Sequence, residues 1–160
     1  RQTSARSVVV YRDDGRRSMI GTGLYLPSRG AVFVVSAEST SRAFVVFSDG
    51  TQAEAYRAGE DGQLIAYRFS QGATLPQAPS ADLVPPTDVK QGQTAIALAS
   101  GGGATTGIVS KVEGNAITTN LQQVPAGAGI ANLSGNIIGI SAGGGLVLST
   151  ERIGALLSVE

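Results

Sequence analysis

The feature that most constrains this chain is its punctuation. Short apolar runs follow one another at even spacing, and Gly-containing turns separate them. The first set is SVVVYR (Ser7 to Arg12), GTGLYL (Gly21 to Leu26), AVFVVS (Ala31 to Ser36), RAFVVF (Arg42 to Phe47), QAEAYRA (Gln52 to Ala58) and QLIAYRF (Gln63 to Phe69). Each is strand-length and rich in β-branched or aromatic residues. Asp14-Gly15, Asp49-Gly50 and Asp61-Gly62 lie between runs, and both residue types tolerate the positive φ of tight hairpins. Six such strands predict a small closed barrel.

The texture then changes. From Ser70 to Pro86 the chain holds four of its 6 prolines and little periodicity, which reads as a connection. A second set follows: TAIALA (Thr94 to Ala99), TTGIVSKV (Thr105 to Val112), AITTNL (Ala116 to Leu121), GIANL (Gly129 to Leu133), NIIGIS (Asn136 to Ser141) and GLVLS (Gly145 to Ser149). Glu113-Gly114-Asn115 and Ser134-Gly135-Asn136 mark hairpins. The end, STERIGALLSVE, reads as a helix. Ser149 or Thr150 can cap it, and Ile153, Leu156 and Leu157 share a face. The expected fold is all-β: two six-stranded antiparallel barrels with a C-terminal helix. The first barrel spans 1–75, a linker 76–88, and the second barrel with its helix 89–160.

Composition narrows the function. Hydrophobic residues make up 42% and charged ones 15%, a balance that points to a well-buried body. Lys+Arg and Asp+Glu are equal at 12 each, without the positive excess of a nucleic-acid binder. The one basic concentration, Arg1, Arg6, Arg12, Arg16 and Arg17, reads as a solvated end and hairpin. There is no Cys, which removes disulfides, thiolate zinc and cysteine nucleophiles together. No apolar stretch is long enough to span a membrane. The chain starts at Arg, so the expectation is an excised or processed form, which leaves room for a leader or anchor upstream.

Six segments, in order, carry a resemblance. GTGLYLPSRGAVFVVSAEST resembles a GSGF-turn-ILTAAHVV segment, and SDGTQAEAYRAGEDGQLIAYRF a DG-to-DLAVL region. VKQGQTAIALAS resembles a VGQ-VxAIG strand, and TTGIVSKV a TxGIVS strand. TNLQQVPAGAG is similar to TDAAINPGNSG, and LSGNIIGIS to the G-x-VIGI strand that follows it. The whole is similar to the HtrA/trypsin-like serine protease family, whose chymotrypsin-like fold is two six-stranded barrels. Catalysis there needs a serine, a histidine and an aspartate.

Carried onto this chain, PAGAG puts Ala128 at the nucleophile, where a methyl group cannot attack a carbonyl. SAEST puts Ser39 at the histidine, or Glu38 after a one-residue slip, and the chain contains no histidine at all. QLIAYRF puts Gln63 at the aspartate. The oxyanion donors become the Ala126 and Ala128 N–H groups. Ala126 replaces a glycine, so that pocket is expected to be altered. Substitution at every triad position implies a pseudoprotease, not an enzyme.

Other chemistry fits less well. Ser134 reads as a hairpin residue and not as a migrated nucleophile. A Ser-Lys dyad needs a buried lysine, and only Lys90 and Lys111 exist, both in polar contexts. Asp49-Gly50-Thr51 has the wrong order for an aspartic protease loop. Gly101 to Gly107 lacks the Lys-Ser/Thr of a phosphate cradle. No metal, calcium or other cofactor pattern appears. The remaining expectation is a binding surface for a protein or peptide. By the resemblance, extended substrates add along the second barrel at Ile140, Ser141, Ala142, Gly143 and Gly144, up to Gly145. Strand addition survives loss of a triad. A purely architectural domain is the alternative, and residual hydrolysis by another route a third. The expected setting is a bacterial periplasm or envelope, with cytoplasm left open. The family's N-terminal trimer contacts are not carried over, because Arg1 to Ser7 has no clear aromatic anchor, and the oligomeric state stays open.

Overall fold

Some strands alternate apolar and polar residues, while others are apolar throughout, and this contrast assembles the molecule. An alternating strand has one face on a core and one on solvent. A continuous run is buried on both. In the computed structural model the described residues are 7–12, 18–27, 30–37, 40–47, 50–70, 72, 75, 83–98, 104–114 and 116–158. The Asp14-Gly15 hairpin and Gly101–Gly103 lie outside them.

The first barrel comprises β1 (Ser7–Arg12), β2 (Met19–Leu26), β3 (Ala31–Val35), β4 (Arg42–Phe47), β5 (Gln52–Asp61) and β6 (Leu64–Phe69). It closes in the order β1-β2-β3-β6-β5-β4. The second comprises β7 (Thr94–Leu98), β8 (Ala104–Glu113), β9 (Ala116–Thr119), β10 (Gly129–Ala131), β11 (Ile137–Gly143) and β12 (Leu146–Ser149). It closes as β10-β11-β12-β9-β8-β7, the same order read from the other side. All strand pairs are antiparallel. This is the chymotrypsin-like arrangement expected from the sequence.

The two barrels fill their interiors differently. Val8, Val10, Tyr25, Val34, Phe47 and Tyr67 lie inside the first. Tyr25 packs edge-on against Phe47, with ring centroids 5.1 Å apart, and against Phe69 at 5.7 Å. Burial pushes the Tyr25 phenol above its ordinary pKa of 10.0. The second interior is aliphatic: Ala97, Val109, Ile117, Ile130, Ile138 and Val147.

A third core lies between the barrels. In β3 every residue is buried, because Val32 and Val34 face the barrel interior while Ala31, Phe33 and Val35 face outward. Phe33, with Leu24, Leu26 and Leu64, meets Leu98, Ala131, Ile137 and Ile140 of the second barrel. The helix α1 (Thr150–Ser158) adds Ile153 and Leu156 to the same core. The Leu157 side chain lies outside the described residues. Arg152 of α1 approaches the Asp61 carboxylate of the first barrel at 3.3 Å.

The helix start differs from the sequence reading. Thr150 is already helical, and its hydroxyl donates to the Val84 carbonyl at 2.7 Å. The Ser149 hydroxyl is buried with no hydrogen-bond partner. The end of the connecting segment is thus strapped to the second barrel. Leu83 bridges to Ile137, and the Val84 N–H donates to the Ile137 carbonyl at 2.8 Å.

Candidate functional site

Ala128 stands where the two barrels touch, and the glycine before it makes that contact possible. Gly127 has φ +98°, and a Cβ there would overlap the Thr22 carbonyl oxygen of β2. Only glycine satisfies both conditions. The Gly127 N–H donates to the Ser141 carbonyl at 2.8 Å, and the Ser141 N–H donates to the Ala128 carbonyl at 2.8 Å. This pair of bonds clips the segment onto β11. Ala128 itself is buried.

The Ala128 N–H closes a turn on the Pro125 carbonyl at 3.4 Å. A long bond, it nonetheless points the N–H back into its own loop. The other expected oxyanion donor belongs to Ala126, a half-buried residue packed on the inter-barrel core.

Gln63 is exposed in the β5–β6 turn, and its backbone carbonyl accepts from the Ser36 N–H at 2.8 Å. This fixes the turn beside the segment Ser36-Ala37. Ser39 and Glu38, the two readings of the histidine position, lie outside the described residues. The carboxylates near Gln63 face outward: Asp61 pairs with Arg152, and Glu60 lies 4.0 Å from Arg57. Lys90 is exposed, and Lys111 sits on the surface 3.4 Å from Glu113. Neither lysine has the desolvated setting that would make it a base. Ser134 belongs to a hairpin turn in which the Asn132 Oδ1 accepts from the Ser134 and Asn136 N–H groups, both at 3.0 Å. Among the described residues no group of three or more His, Cys, Asp or Glu converges as a metal site. No described helix is long and apolar enough to cross a membrane.

The stretch Ile140–Gly144 takes a more specific form than the sequence reading gave it. Ile140 and Ser141 are buried and flanked on both sides, by β10 or the clip before it and by β12. Gly143, Gly144 and Gly145 have φ of 90°, 65° and 88° and form the reversal into β12. The Gly143 N–H donates to the Ser141 hydroxyl at 3.1 Å. Surface remains at Ala142, Gly143 and Gly144 only.

A cavity of about 580 Å³ opens on the other side of Ala128. Its floor is Ala97, Leu98, Leu121, Val124 and Ala128, all buried. Its rim includes Thr22 from the first barrel, Thr105 and Thr106 from β8, and Asn120, Gln122 and Gln123 from the loop after β9. Sequence reasoning missed this site. It extended β9 through Leu121, whereas β9 ends at Thr119, because the Thr119 hydroxyl accepts from the Leu121 N–H at 3.1 Å. The uncharged run Thr119-Asn120-Leu121-Gln122-Gln123 was the available signal.

The chain matches no protein-family model and no curated protein.

Proposed function

We propose that this chain is a trypsin-like, HtrA-like pseudoprotease domain that binds a protein or peptide partner without cutting it. The observation that carries this reading is the cavity beside Ala128. A concave site with a buried apolar floor and convergent polar groups adjoins a position that carries only a methyl group. The absence of histidine from all 160 residues supports the loss of triad chemistry. The likeness to the protease family supplies the partner class, an extended polypeptide. The placement in a bacterial envelope rests on that resemblance alone.

A second reading, a purely architectural domain, draws on β11. Its backbone is largely satisfied by its own chain at Ile140 and Ser141. The two readings separate in one titration. Labelled protein is titrated with a degenerate peptide pool and followed by amide shifts. Binding predicts shifts at Leu98, Thr106, Leu121 and Ala128. Shifts confined to the far surface, or none, favour architecture.

A further inference from the structure

The cavity carries an unusual chemical bias, and it extends the binding reading just given. None of the described residues that line it is charged. The rim side chains are hydroxyls and amides, and the floor is aliphatic. An ion placed there would lose water and find no counter-charge, which is costly. A neutral segment loses less, and its backbone amides find donors and acceptors at the rim.

The wall is also built in advance. Asn120 Oδ1 accepts from the Ile108 N–H at 2.9 Å, so this side chain bonds β8 as a strand backbone would. That bond directs the amide oxygen to β8 and turns the NH2 end away from it. Gly107 allows this close approach, because a Cβ there would overlap Asn120 Oδ1 and lie 2.7 Å from Leu121 Cδ2. The Thr119 hydroxyl, besides accepting from Leu121, donates to the Gly145 carbonyl at 3.1 Å. The Val124 N–H donates to the Leu121 carbonyl at 3.4 Å. A wall fixed in this way needs little ordering when a ligand arrives.

We propose that the cavity selects an uncharged polypeptide segment, one that puts a small aliphatic or hydroxyl side chain on the floor formed by Leu98, Leu121 and Ala128. The amides and hydroxyls of Thr106, Asn120 and Gln122 meet its backbone. Discrimination comes from the missing counter-charge, so it acts against acidic and basic segments alike.

Four capped pentapeptides, Gly-Ala-Xaa-Ala-Gly with Xaa as Val, Thr, Asp or Lys, test this by amide-shift titration of labelled protein. The Val and Thr peptides are expected to bind at least about tenfold more tightly than the Asp and Lys peptides, a 1.4 kcal/mol preference. Their shifts should centre on Leu98, Thr106 and Leu121. Thr106 is exposed, so Thr106→Asp leaves the fold intact. It should improve the Lys peptide severalfold and weaken the Asp peptide. Equal binding of all four peptides at these residues overturns the selectivity and leaves the binding reading standing, as does a Thr106→Asp protein with unchanged preferences. Shifts elsewhere, or none with any peptide, overturn both.

Discussion

Adding six to each strand number turns the order of the first barrel into that of the second, yet all 4 Phe and all 4 Tyr lie between residues 11 and 69. The first barrel fills its interior with rings: Tyr25, Phe47, Phe69 and Tyr67. The second has only Ala, Val, Leu and Ile, and it compensates by bringing backbone close. A Cβ on Gly139 would lie 2.5 Å from Val147 Cγ1, and one on Gly145 would lie 2.5 Å from the Thr119 carbonyl oxygen. One topology thus tolerates two ways of excluding space, since cores constrain total volume more than residue identity. The aliphatic barrel supplies most of the cavity, and among the described lining residues Thr22 alone comes from the aromatic barrel.

That contrast can be broken by truncation. Phe47→Ala should cost about 3–5 kcal/mol in urea unfolding, because it empties a ring-sized volume. Val147→Ala removes two methyl carbons and should cost roughly 2 kcal/mol. Equal losses would show that the aromatic filling gives the first barrel no special role. Gly127→Ala should cost upward of about 3 kcal/mol, from positive φ combined with the Thr22 clash. A loss under about 1 kcal/mol would mean that the barrels do not meet there.

Smaller effects sharpen the comparison. Ser149 buries a hydroxyl with no partner, so Ser149→Ala should be neutral or stabilise by up to about 1 kcal/mol. A destabilisation of that size would instead reveal a helix cap. Tyrosine ionisation acts on the first barrel alone, since all 4 Tyr lie there. Well below pH 10 the Tyr25 phenol is neutral whether the chain is folded or unfolded, and it adds no pH dependence. Above pH 10 the unfolded chain ionises first, so stability falls as pH rises toward the raised folded pKa. Tyr25→Phe should flatten that alkaline decline, and an unchanged slope would contradict the burial of the phenol.

The strands were legible because period and turn chemistry are local. Asp61-Gly62 and Ser134-Gly135 declare their hairpins within a few residues, and Gly62 and Gly135 take φ of 65° and 85°. The continuous apolar run in β3 likewise announced burial on both faces. The candidate site was less legible because its parts are distant in the chain. Thr22, Leu98, Thr106 and Asn120 converge only after two barrels close and dock. The fate of Ile140–Gly144 was hidden for a related reason. Small residues read alike as an open edge or as a turn, and only the clip from Gly127 and Ala128 decides between them. The expectation at Ala128 came from its motif, while the role of the neighbouring Gly127 required Thr22 in place.

On the proposed function the domain holds a polypeptide beside Ala128 and leaves it whole. The most direct measurement incubates the protein with a degenerate peptide pool, recovers the protein-bound fraction by gel filtration, and weighs it by mass spectrometry. The expected result is retained peptides, all at full length and enriched in neutral sequences. Shortened peptides accumulating with time, or no retained peptide at all, would contradict it.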